Sequence, residues 1–220
     1  MITKNQYSLN MHQCPLCNNL SKRFFKKKDR EYFLCQGCKG IFLEKRSLPD
    51  ELTELLRYRE HNNDVQDPAY QEFVSPVVNA VLDDFTPIHR GLDFGAGTGP
   101  VISKMLQDNN FRIAQYDPLF HDKPGLLNTK YDYIVSCEVI EHFHHPAKEF
   151  ALLRSILKPG GKLYCMTNIY TGNTDFKTWY YKDDPTHVFF YQAETFSFIK
   201  EKYGFSEYRI SGNLIIFSAW

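Results

Sequence analysis

Apolar and polar positions alternate with two different periods along this chain, and the switches between them mark out its elements. Near the N-terminus, Tyr32-Phe33-Leu34 and Ile41-Phe42-Leu43 are short apolar runs on either side of a turn and predict strands. Two helices follow. Ser47 is a plausible cap for one over Pro49–Glu60, with Asp50 and Glu51 in its first turn. Asp67-Pro68 reads as an N-cap with proline at the first helical position. Beyond it Tyr70, Phe73, Val74, Val77, Val78, Val81 and Leu82 recur at helical spacing, with Pro76 expected to kink the helix. His61-Asn62-Asn63-Asp64 between the two is a polar linker.

From Gly91 onward strands and helices alternate. Gly91–Phe94, Phe111–Tyr116, Tyr131–Ser136 and Lys162–Thr167 predict strands; Pro100–Gln107, Pro146–Leu157 and Glu194–Tyr203 predict helices. Phe205–Ile210 and Leu214–Ser218 close the chain as a hairpin through Gly212-Asn213. This order implies an α/β fold: a Rossmann-like, mostly parallel sheet with helices on both faces and a C-terminal antiparallel hairpin. The expected division is a small ribbon over residues 1–46, a helical linker or lid over 47–86 and the α/β domain over 87–220.

Composition narrows this picture. The 220 residues are 43% hydrophobic and 24% charged, which suits an ordered chain of one full domain plus a small piece. No apolar run is long enough to cross a bilayer, and Met1–Gln6 has no apolar signal segment, so a cytoplasmic location and no membrane partner are expected. The net charge of zero hides an asymmetry. Residues 1–46 carry 10 basic against 3 acidic residues, a charge of +7, which leaves −7 on the remainder. The basic head either grips an anion such as RNA or docks on the acidic body. Phe24 and Phe25, set among Lys22, Arg23 and Lys26–Lys28, are either ribbon core or a base-stacking platform.

Two C-x-x-C pairs, Cys14/Cys17 and Cys35/Cys38, lie seventeen residues apart. Two residues between cysteines let a tight turn aim both sulfurs at one ion, and two such turns complete a tetrahedron. Four thiolates leave no open position, so the expected zinc is structural, and so small a segment needs it to fold. A redox dithiol is the rival, which two matched pairs disfavour.

The segment Asp93-Phe94-Gly95-Ala96-Gly97-Thr98-Gly99 follows a strand and precedes a helix. Its glycines permit close backbone approach to a ligand and positive φ. The third glycine comes one residue too early for a dinucleotide fingerprint. The spacing instead resembles the class I S-adenosylmethionine (SAM)-dependent methyltransferases. Tyr116-Asp117 at the next strand end, Tyr131–Glu138 and Leu157-Lys158-Pro159-Gly160-Gly161 match further motifs of that family in the right order, over about residues 88–220. The resemblance implies SAM as cofactor, with Asp93, Gly95 and Gly97 around its methionyl part, Asp117 on its ribose, and Ala96, Gly99 and Cys137 as further cofactor-binding residues. Read by itself, Cys137, like Cys165, is a packing residue on a strand. Only Pro118–Lys130 stands where the family fits a helix, a strand and an adenine-contacting residue, so no adenine ligand is named.

Glu138-Val139-Ile140-Glu141-His142 follows a strand end, where open α/β sheets bind ligands. In a helical turn Glu138, Glu141 and His142 share one face. Asp184-Pro185-Thr186-His187 comes later, in a loop rich in aromatics (Trp179, Tyr180, Tyr181), which either form a lid or cover the sheet end. The E-x-x-E-H pattern with a distant histidine resembles the metal site of Hen1-type small-RNA methyltransferases and of ubiquinone-pathway O-methyltransferases. That resemblance implies a second divalent metal at Glu138, Glu141, His142 and His187; two carboxylates with two imidazoles suit Mn²⁺, Fe²⁺, Co²⁺ or Zn²⁺ better than Mg²⁺. The metal-free reading keeps His142 or His187 as general base. The expected activity is methylation of a hydroxyl on a small molecule. The alternatives are RNA methylation with the ribbon on phosphates, and a non-catalytic adaptor with the ribbon as a partner-binding module.

Overall fold

The computed structural model describes residues 12–60 and 64–220; positions 61–63 of the expected polar linker and the N-terminal eleven residues lie outside them. Strands β1 (His12–Gln13), β2 (Leu20–Lys27), β3 (Arg30–Cys35) and β4 (Ile41–Leu43) form an antiparallel ribbon. Helices α1 (Glu51–Arg59) and α2 (Pro68–Asp84) follow. The alternating part runs β5 (Arg90–Phe94), α3 (Val101–Asp108), β6 (Arg112–Tyr116), β7 (Tyr131–Cys137), α4 (Pro146–Ser155) and β8 (Leu157–Met166). It ends with β9 (Phe189–Phe190), α5 (Ala193–Tyr203), β10 (Phe205–Ser211) and β11 (Leu214–Ala219).

The main sheet has six strands in the order β10-β11-β8-β7-β5-β6. β6, β5, β7 and β8 are parallel, and β11 and β10 are antiparallel. Successive side chains of a strand point to opposite faces. On β7, Tyr133 and Val135 therefore pack under α2 and α3 with Val77, Val81 and Leu106, while Ile134 packs under α4 and α5 with Phe150, Leu153 and Phe196. Among the described residues no helix is long and apolar enough to cross a membrane.

One local expectation is corrected, and one about a shortened segment holds. Asp50, not Ser47, caps α1: its carboxylate accepts from Thr53 N at 2.8 Å, and Ser47 Oγ donates to Asp29 O. Pro49 explains the shift, because the residue before a proline is held extended and the helix can start only after it. The Pro118–Lys130 segment contains a 3₁₀ turn over Pro124–Asn128 and no named strand.

The ribbon is joined to the body by a strand pair the sequence did not reveal. β9 adds to β4, with Phe189 opposite Phe42 and Phe190 opposite Ile41. Cys14, Phe33 and Phe42 share one apolar cluster with Phe150 and Phe196. Phe24 and Phe25 settle as packing residues, their rings 5.1 and 5.4 Å from that of Phe176. Trp179 and Tyr181 are buried, and Tyr180 of the aromatic trio is exposed.

Candidate active site

The two cysteine turns meet between strand ends. Cys14 and Cys17 lie between β1 and β2, where Asn18 takes positive φ; Cys35 ends β3 and Cys38 lies in the turn to β4, where Lys39 takes positive φ. The Cys14–Cys38 and Cys17–Cys35 sulfurs are 3.6 and 3.2 Å apart, and all four lie within 4.8 Å of one another. A tetrahedron with Zn–S bonds of 2.3 Å has edges of about 3.8 Å, so the donor set fits a closed structural zinc site.

The glycine loop hangs from the neighbouring strand end: Gly95 N and Ala96 N both donate to Tyr116 O. Gly95 and Gly97 have φ of 85° and 59°. Asp117 organises the loop opposite, accepting from Gly97 N at 3.0 Å, Leu119 N at 2.9 Å and Phe120 N at 3.1 Å. A carboxylate has about four lone-pair positions, so Asp117 keeps acceptor capacity for a sugar hydroxyl. A Cβ built on Gly97 would meet nothing within 4 Å and would stand in open cavity, a cradle suited to close ligand approach. Gly95, Ala96, Gly97, Asp117 and Cys137 line a cavity of about 1260 Å³. Asp93 and Gly99 do not; they line a small neighbouring recess, and the Asp93 carboxylate accepts from Ser103 Oγ at 2.7 Å. Burial pushes Asp93 up to about 6. Tyr116, Leu119, Phe120, Leu127 and Phe143 give the cavity an apolar wall suited to a flat ring. Part of that wall comes from the short segment in which no adenine ligand could be named.

The same cavity reaches Glu138, His142 and His187. The Glu138–His142 stretch forms a 3₁₀ turn over Ile140–His142, with Glu138 before it at φ 51°, and not the helical turn that would put Glu138, Glu141 and His142 on one face. One ligand atom each from Glu141, His142 and His187 lies within 4.8 Å of the others, whereas Glu138 falls outside that trio. Glu138 joins through Tyr181, which the sequence offered only as one of three aromatics. The Tyr181 hydroxyl is 2.5 Å from Glu141 Oε1, 3.0 Å from Glu138 Oε2 and 3.0 Å from Thr167 Oγ1. Burial raises Glu138 to about 7, and burial with the Glu138 charge raises Glu141. The His142 and His187 rings meet edge to face at 4.7 Å.

Helix α1 closes over this end. Arg57 holds the Asp184 carboxylate at 2.8 Å, Glu54 meets His144 at 2.9 Å, and the Tyr58 ring packs on His142 at 5.3 Å. Burial opposes ionisation of Asp184, but hydrogen bonds from Thr186 and Arg57 outweigh it and hold the carboxyl far below the usual range. Glu54, Arg57 and Tyr58 were legible only as positions on a polar helix.

The sequence matches the model of a family described as Methyltransferase domain over residues 27–208. No curated protein matches. The fold is similar to that of human N-acetylserotonin methyltransferase in complex with SAM, with a TM-score of 0.54 and 14% identity over 79% of this chain and 61% of that one. It is also similar to Burkholderia thailandensis 1,6-didemethyltoxoflavin-N1-methyltransferase with bound 1,6-didemethyltoxoflavin and S-adenosylhomocysteine (SAH). There the TM-score is 0.55 and the identity 13% over 90% of this chain and 97% of that one. The chain spans about three fifths of the length of the human enzyme. At these identities the likeness is one of fold. With a glycine loop opposite Asp117 at the strand ends and a family match over most of its length, the chain belongs to the methyltransferase domain family.

Proposed function

We propose that this chain transfers the methyl group of SAM to a hydroxyl oxygen of a small molecule. One observation carries the reading: a single cavity joins the Gly95–Gly97 loop and Asp117 to Glu138, His142 and His187. SAM, when bound, supplies an electrophilic methyl on a sulfonium. The chain's own residues do the rest. The glycine loop lets backbone approach the cofactor, and Asp117 accepts from its ribose hydroxyls. His142 and His187 line the cavity, and the imidazole of one of them takes the acceptor's proton. Tyr58 and the rest of α1 cover this end and limit water.

A second reading, favoured by the clustering of three ligand atoms, places a divalent ion on Glu141, His142 and His187. Such an ion would lower the pKa of the acceptor hydroxyl. The donor set, one carboxylate and two imidazoles, suits a first-row transition ion better than Mg²⁺.

The ribbon's charges give the RNA alternative less support than the bare sequence did. Arg23, Lys26 and Arg46 turn onto Glu31, Lys27 pairs with Asp183, and Arg30 binds loop carbonyls. The ribbon reads better as a docked scaffold.

A crossed titration tests both readings. Asp117→Ala should weaken SAH binding about tenfold or more, the effect of losing a charged hydrogen bond, and keep Mn²⁺ binding. His187→Ala should lose Mn²⁺ and keep SAH. Wild-type protein that gives no heat with SAH would leave the adaptor reading in place of the enzyme. Unchanged Mn²⁺ binding in His187→Ala would remove the metal.

A further inference from the structure

We propose that Arg30, a residue of the cysteine ribbon, is a positioning residue that sets which ring nitrogens of His142 and His187 serve the acceptor site. The functional meaning of this rests on the methyl-transfer reading above; the geometry does not.

Arg30 opens β3 and reaches across to the loop that carries His187. Its Nη1 donates to Asp184 O at 3.2 Å, and its Nη2 donates to Pro185 O at 3.4 Å and His187 O at 3.1 Å. One guanidinium thus grips three of the four carbonyls between Asp184 and His187. A planar fork with five donors can do this, whereas a lysine ammonium is a compact point charge without that geometry.

The same stretch of backbone supplies the acceptors for both imidazoles. His142 Nδ1 donates to Thr186 O, the fourth carbonyl, at 2.9 Å. His187 Nδ1 donates to Tyr181 O at 2.6 Å. A neutral imidazole that donates from Nδ1 carries its lone pair at Nε2. The peptide units of residues 181–187 therefore select both tautomers, and Arg30 fixes the carbonyls on either side of Thr186. The rest of the ribbon braces the same loop: Tyr32 Oη donates to Lys182 O at 3.3 Å, Lys27 pairs with Asp183 at 2.7 Å, and β4 carries β9, which begins at Phe189 with only Val188 between it and His187. Arg57 of α1 holds the Asp184 side chain from a different element. The ribbon is thereby part of the active-site scaffold, and Arg30 is its contact with the carbonyls around Thr186.

The test is a long-range ¹H–¹⁵N spectrum of the imidazole rings in the zinc-loaded full chain, with amide hydrogen exchange followed over residues 182–190. Wild type should show single Nδ1–H tautomers at His142 and His187. Arg30→Lys, which keeps the charge and the stem but not the fork, should give averaged nitrogen shifts at both rings. It should also exchange about tenfold faster over residues 182–190, the effect of losing one charged hydrogen bond. Zinc content and SAH affinity should match wild type. Arg30→Ala should show the same changes, and Arg23→Ala, whose partner is Glu31, should show none. Wild-type tautomers in Arg30→Lys overturn the proposal. So does faster exchange spread equally over residues 12–43, which would give Arg30 a general folding role. A chain that binds no SAH yet shows the tautomer change refutes methyl transfer and leaves the role of Arg30 standing.

Discussion

Gly95→Ala is expected to destabilise the fold by about 2–5 kcal/mol and to abolish measurable SAH binding. Two costs add. At φ 85° an alanine pays the left-handed penalty of about 1–2 kcal/mol. Its Cβ would also lie 2.5 and 2.7 Å from the two Cγ atoms of Val139, and overpacking of that kind costs about 1–3 kcal/mol. Relief of the clash must push Val139 or the loop away, and Val139 sits between Glu138 and the turn that bears Glu141 and His142. Gly97→Ala is the informative partner. Its φ is 59°, but its Cβ would meet nothing within 4 Å. It should lose only about 1–2 kcal/mol of stability while its methyl occupies the cavity and weakens SAH binding. Urea denaturation and SAH titration of both variants check this. A Gly97→Ala protein that binds SAH like wild type would contradict the cradle.

Loss of zinc from the four-cysteine site that fits it is expected to have the other large effect, extending well beyond the ribbon. Apparent binding free energies of structural zinc in small domains are about 10–16 kcal/mol, so folding of such a segment and metal binding are one event. Here β4 carries β9, and the Tyr32, Ile41 and Leu43 side chains pack in one cluster with Phe176, Trp179, Tyr181 and Phe190. Trp179 is 8% exposed and Trp220 is 75% exposed, so in a Trp220→Phe background Trp179 reports on the ribbon's docking. Cys38→Ala, or chelation of the wild type, should release zinc, shift Trp179 emission to the red and speed hydrogen exchange over residues 182–190. Zinc release with unchanged emission would mean that the ribbon holds its shape and the active-site loop without the ion.

The parts that were legible in the sequence are those whose signal is local. The glycine spacing of residues 95–99, the two C-x-x-C turns and the hairpin at Gly212-Asn213 are each set within a few residues, and each stands where expected. The Glu138–His142 stretch was legible as lying at a strand end, but not in its geometry. It is a left-handed residue followed by a 3₁₀ turn, a conformation no spacing rule announces, and Glu138 lies outside the ligand-atom trio. The nonlocal parts were hidden. β9 is two residues long, too short for an alternation pattern, and its partner β4 lies far back in the chain. Tyr181 looked like one of three interchangeable aromatics until its hydroxyl was found between two carboxylates. The surplus of positive charge on the ribbon was legible as a sum; whether it faced solvent or the body depended on tertiary placement, and Lys27 and Arg30 face the body.

The most direct test of a shared cofactor and acceptor cavity is a crystal structure of the chain with SAH. The predicted result has the ribose hydroxyls on Asp117, the methionyl part along Gly95–Gly97 and the thioether sulfur turned toward Glu138, His142 and His187. SAH bound away from that loop, or bound there with its sulfur turned from Glu138 and the two histidines, would contradict it.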